Sequence, residues 1–79
     1  MANRIIVIDI ETNSIENVNM IWCVVCLDIK TNVFSVFTDK ESLKEYIDYE
    51  DIFVAHNGIE FDFPILNKLW DTKIKLKNV

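Results

Sequence analysis

The sequence predicts an α/β fold that opens with an antiparallel meander. Three observations point there. Apolar, β-branched runs crowd the first half of the chain. After Thr38 the apolar spacing changes from alternation to helical repeats. The later elements then alternate helix, strand and helix. The predicted order is strand, strand, strand, helix, strand, helix, with a parallel strand following the meander.

Arg4–Asp9 (RIIVID) is a continuous β-branched run. Such a run predicts a central strand covered on both faces. Thr12–Asn19 is polar and reads as a loop. Met20–Asp28 is apolar and strand-like, Lys30-Thr31-Asn32 is a turn signal, and Val33–Thr38 returns as the second arm of a hairpin. Thr38 stands three residues before Glu41, as in a capping box, and Leu43, Tyr46 and Ile47 follow at helical spacing. Lys40–Tyr49 is therefore a predicted helix. Ile52–Ala55 is a short apolar strand, ended by His56-Asn57-Gly58. A second helix covers roughly Phe61–Trp70, with Pro64 tolerable in its first turn and Ile65, Leu66, Leu69 and Trp70 as its buried side. The tail, Lys73–Val79, is an extended segment or a frayed end.

The chain has 79 residues, no internal repeat and no linker, so it reads as one domain. A chain of that size buries only about 60% of the surface its unfolded form exposes, which makes it marginal as a free-standing fold. At 51% hydrophobic and 27% charged residues it has a globular composition, not a disordered one. No stretch reaches the length of a membrane span, and Ile5–Ile8 is too short for a signal-peptide core. A cytoplasmic location and no membrane partner are the expectations. Cys23 and Cys26 fall at an odd offset on a predicted strand, hence on opposite faces, and read as reduced core thiols, not as a metal pair. Trp22, Phe34, Phe37 and Phe53 are spaced for strand cores, and core packing is favoured over base stacking for each.

The net charge of −5 argues against a nucleic-acid ligand held by a basic surface. It does not argue against enzymes that hold divalent metals between carboxylates, where the metal inverts the local field. Asp9-Ile10-Glu11-Thr12 is the sharpest feature of that kind. Carboxylates at i and i+2 of an extended segment share a face, here at the C-terminal end of the presumed central strand. Two adjacent acids repel unless a cation lies between them, and oxygen ligands suit Mg²⁺ or Mn²⁺. On this tetrapeptide alone, a solvated strand end remains the simpler account. The second feature is His56-Asn57-Gly58-Ile59-Glu60-Phe61-Asp62, between the short strand and the second helix. Asp62 in a first helical turn is favoured by the helix dipole on structural grounds alone. If the short strand lies beside the first one, Asp62 is carried toward Asp9 and Glu11, and three converging acids are the raw material of a two-metal site.

The pair D-I-E-T and H-N-G-x-x-F-D-x-P-x-L resembles the first two motifs of the DnaQ-like 3′-to-5′ exonucleases, which have a ribonuclease-H-like fold. It is most similar to the N-terminal proofreading domain of family A DNA polymerases of short-tailed phages. Pro64, Leu66 and Lys68-Leu69 continue that likeness, which spans nearly the whole chain. The resemblance implies that Asp9, Glu11 and Asp62 are metal ligands and catalytic carboxylates for two Mg²⁺ or Mn²⁺ ions. It also implies that Asn57 and Phe61 are supporting, substrate-side positions, and that Thr12 and Asn13 face the 3′ end of single-stranded DNA. The implied reaction is hydrolysis of terminal phosphodiesters. The family's third motif, Tyr-x-x-x-Asp or His-x-x-x-x-Asp, has no counterpart after Trp70, since Asp71 lacks a Tyr or His at that spacing before it. The expectation is thus a truncated ribonuclease-H-like mixed sheet. Residues 1–79 would be the N-terminal portion of an exonuclease domain, with little or no nuclease activity alone. The remaining exonuclease or polymerase portion would then be a partner in trans, and the location the cytoplasm of a host cell.

Two other readings stay open on the sequence. One is a stand-alone DnaQ-like exonuclease. The other is a non-catalytic module that binds nucleic acid or protein, its fourth strand an unpaired edge open to a strand-paired dimer. His56, the single histidine, supports a turn more readily than it completes a Ser/His/Asp triad. Lys73, Lys75 and Lys77 read first as a solvated face and second as phosphate contacts.

Overall fold

The computed structural model describes residues 4–13, 18–55 and 61–75. The elements follow the predicted order: β1 (Ile5–Thr12), β2 (Ile21–Asp28), β3 (Val33–Phe37), α1 (Lys40–Tyr46), β4 (Ile52–Val54) and α2 (Phe63–Leu69). The four strands form one mixed sheet in the order β3-β2-β1-β4. β2 pairs antiparallel with both β1 and β3, and β4 lies parallel to β1. The chain is therefore α/β, with β1 central and a meander leading to a parallel strand.

Alternation decides which side chains the sheet buries. Ile6, Ile8 and Ile10 of β1 point to one face with Val24 and Cys26 of β2 and Phe53 of β4. Leu43 and Ile47, from α1 and its C-cap, share a single core with them, as do Phe63, Leu66 and Trp70 from α2 and its C-cap. Both helices thus pack on the same face. The expectation that β1 is covered on both faces is corrected here. Its other face carries Ile5, which is 40% exposed, half-buried Val7, and exposed Asp9 and Glu11. A β-branched run signals a central strand, and β1 is central, but it does not fix how many layers cover it.

Two aromatic expectations also change. Phe53 is buried and Phe37 packs against the core. Phe34 points to the open face at 65% exposure, because its partner Leu27 lies on that face. Trp22 is 58% exposed for another reason. The register slips between Glu11 and Thr12, where Cys23 pairs with Glu11 but Ile21 pairs with Thr12, so Trp22 is the extra residue of a bulge. The two cysteines do lie on opposite faces: Cys26 is buried and Cys23 half-buried on the open side. Burial pushes the Cys26 thiol up to about 12.

The helix boundaries follow from local hydrogen bonding. Asp39, not Thr38, caps α1: its carboxylate accepts from the Ser42 backbone N–H at 2.9 Å and from the Ser42 hydroxyl at 3.0 Å. The helix ends at Tyr46, three residues short of the expected Tyr49. Asp48 draws the next backbone into a turn of its own, its carboxylate accepting from Glu50 N–H at 2.9 Å and its carbonyl from Asp51 N–H at 2.9 Å. The β2–β3 connection is built the same way. The Asp28 carboxylate accepts from the Lys30 and Thr31 N–H groups, and Asn32 takes a φ of 62°, a conformation asparagine tolerates. After α2, Asn67 gathers the tail: its side chain binds the Thr72 hydroxyl at 2.6 Å and both backbone groups of Ile74 at 3.0 and 2.9 Å. Ile74 is only 3% exposed as a result, so the described part of the tail is fastened and not frayed.

Candidate acidic site at the end of the central strand

β1 runs five residues beyond its last pairing with β4, so its C-terminal half is flanked by β2 alone among the described strands. Asp9 and Glu11 stand on this overhang. Asp9 is paired with Val25 and Glu11 with Cys23, which makes both acids rigidly held parts of a sheet. Extended geometry places their Cα atoms about 7 Å apart on one face. Both side chains are exposed. The strand continues through Thr12, so the DIET tetrapeptide lies wholly within β1 and not at the start of a loop.

Thr12 falls on the opposite face from the acids and is half-buried at the bulge. Asn13 closes the loop that follows. Its side-chain oxygen accepts from the Asn19 and Met20 N–H groups, its amide donates to Asn19 Oδ1 at 2.8 Å, and its backbone N–H donates to the Met20 carbonyl. Those bonds give Asn13 a structural role at the base of the site.

Asp62 sits at the N-cap of α2 and is 7% exposed, with Phe61 half-buried beside it and packed against the core. The parallel pairing of β4 with β1 does carry the start of α2 to the sheet end where Asp9 and Glu11 lie. Among the described residues, however, no group of three or more His, Cys, Asp or Glu side chains is gathered to hold a metal. Asp9 and Glu11 share the open face of the sheet, and Asp62 opens the helix that follows β4. α2 packs on the helical face, whereas the two β1 acids project from the open one. Asn57, with the rest of His56–Glu60, lies outside the described residues.

A second constellation stands at the other end of β1 and had no sequence signal. The Arg4 guanidinium meets the fully buried Asp51 carboxylate at 2.7 Å through Nη2 and 2.8 Å through Nε, while the Arg4 backbone N–H donates to Asp51 Oδ1 at 2.7 Å. Nη2 also donates to the Tyr46 carbonyl at 2.8 Å, and the guanidinium lies 4.6 Å from the Tyr46 ring centroid. The hydrogen bond to Asp51 raises the Arg4 pKa above its ordinary value, and burial raises that of Tyr46. This cluster ties the first residues of two parallel strands to the end of α1. The only trace in the sequence is an Arg directly before one β-branched run and an Asp directly before another.

As donors, Asp9 and Glu11 offer carboxylate oxygens from a rigid strand, a set that suits a hard divalent cation. The chain matches no protein-family model and no curated protein.

Proposed function

We propose that this chain is the N-terminal portion of a DnaQ-like, ribonuclease-H-like 3′-to-5′ exonuclease domain of the polymerase-proofreading kind. One observation carries the reading. The Asp9-x-Glu11 pair lies on the central strand, just past the point where a parallel strand leads into the Asp62-bearing helix. The sequence likeness of the two motifs and the antiparallel-then-parallel strand order both fit that family. In this reading Asp9 and Glu11 hold Mg²⁺ or Mn²⁺, which in such sites activates water and offsets charge on a phosphodiester. The contribution of the chain's own residues is positional. β-sheet pairing fixes the two carboxylates side by side, and Asn13 holds the following loop against the strand end. The substrate is the 3′ end of single-stranded DNA, and the missing third motif would come from further sequence or from a partner in trans.

Titration of the chain with Mn²⁺, followed by the ion's paramagnetic signal, tests this. The expected result is weak, saturable binding that drops at least tenfold in Asp9→Asn and in Glu11→Gln, with little or no digestion of end-labelled single-stranded DNA. Binding that is absent, or indifferent to both substitutions, overturns the assignment of the metal pair. Robust digestion abolished by Asp9→Asn would overturn the requirement for a third motif.

A further inference from the structure

Among the described aromatic side chains, Trp22, Phe34 and Tyr49 are exposed. Phe34 is level with Val7 through Leu27, and Tyr49 precedes β4, whose Ile52 pairs with Ile5 near the start of β1. Of the three, Trp22 alone stands at the end of the sheet that carries Asp9 and Glu11. Its backbone falls between the Cys23–Glu11 and Ile21–Thr12 pairs, one strand spacing of about 4.8 Å from the Glu11–Thr12 step. Neighbours at such a step are within reach of an aromatic side chain. A lone exposed aromatic needs no explanation. Here, however, a bulge turns out a side chain that alternation would bury, and bulges recur beside active sites because they re-aim side chains in this way. Both flanks of the bulge are fixed. Cys23 is held in the ladder with Glu11, and Met20 is held by Asn13, whose side-chain oxygen accepts from the Met20 N–H at 3.3 Å and whose backbone N–H donates to the Met20 carbonyl at 3.2 Å. The indole is therefore carried on anchored backbone.

We infer that Trp22 is a substrate-binding residue, a stacking platform for the base of the nucleotide whose phosphate the Asp9–Glu11 metal site holds. The inference rests on the exonuclease reading of those two acids and adds to it a residue that the motifs do not contain. Charge makes stacking the fitting contact. The chain carries a net −5 and a single strand of DNA is a polyanion, so contacts beyond the metal must attract without a basic surface. A base on an indole face needs no opposite charge. It is also tolerant of sequence, because every base presents a π-face, and that suits an activity that takes whichever nucleotide is terminal. Metal at the phosphate and indole at the base hold the nucleotide at two points, which fixes the direction of the phosphodiester between them.

Binding of a single-stranded thymidine octamer to the chain in Mg²⁺, followed by fluorescence anisotropy, tests it. Trp22→Ala is expected to weaken binding at least about fivefold and Trp22→Phe to stay within about twofold of wild type, since a smaller ring still stacks. An octamer that lacks its two 3′-terminal bases is expected to bind the unmodified chain as weakly as the full octamer binds Trp22→Ala, a reading that needs no variant. Fluorine NMR of the chain labelled with fluorotryptophan is expected to show the Trp22 resonance moving on titration while that of buried Trp70 stays in place. The Mn²⁺ titration separates the two ideas. If Mn²⁺ binds and responds to Asp9→Asn, but the octamer fails to bind, or binds wild type and Trp22→Ala alike, the stacking role is overturned and the metal site stands. If Mn²⁺ does not bind, the exonuclease reading fails and the stacking role with it.

Discussion

Asp51 is the residue on which the two parallel strands meet. It is fully buried, and its carboxylate is satisfied by three donors from a single residue, Arg4. Removing it leaves a guanidinium and a backbone N–H facing a cavity, whereas the 27% exposure of the Arg4 side chain lets water recover part of the loss. Asp51→Ala is therefore expected to cost about 2–3 kcal/mol in urea unfolding, at the lower end of what breaking a buried pair costs. A change under about 0.5 kcal/mol would show that the pair contributes nothing beyond its own desolvation. Asp9 and Glu11 were legible in the sequence because their spacing and strand position are local facts. Arg4 and Asp51 were not, since 47 residues separate the partners and neither has a motif. Trp22 shows the same limit from another side: alternation places it inward, and a one-residue slip in pairing exposes it.

Elements were legible nearly to their ends. Each predicted strand and helix exists, with boundaries moved by one to three residues, because apolar period is a property of short windows. What moved the boundaries was competition among side chains for backbone donors. Thr38 and Asp39 both qualify as caps, and the carboxylate of Asp39 captures Ser42. α1 has only seven residues, too few to hold its first turn without that cap. Asp39→Ala is expected to destabilise the chain by about 1 kcal/mol, with Asp39→Asn recovering most of the loss. Equal losses in both variants would assign the effect to charge and not to the cap. At the other helix, Asn67 holds Ile74 in the core through backbone bonds, a tertiary fastening that the alternation of the tail does not reveal.

At the scale of the whole molecule, a single core on one sheet face supports the fold, and its response to alkali follows from Cys26. Burial raises that thiol from the ordinary 9.0 to about 12. Below pH 9 the thiol is neutral in folded and unfolded chains alike, and its contribution is complete. Between pH 9 and about 12 only the unfolded chain gives up the proton, so stability falls by about 1.4 kcal/mol per pH unit from this group. Urea unfolding across that range is expected to show a shallower decline in Cys26→Ala than in wild type, although the variant is less stable at pH 7 from lost packing. Parallel declines would show that a group other than Cys26, such as Tyr46, accounts for the alkaline loss. The sequence by itself determined the element order, the central place of β1, the opposed faces of Cys23 and Cys26, and the shared face of Asp9 and Glu11. All of these follow from local periodicity and from the geometry of an extended chain. Tertiary structure alone decided that both helices lie on one face, that Arg4 meets Asp51, and that Trp22 is exposed at a bulge. Those outcomes depend on where crossovers land and how a ladder registers, which no local window encodes.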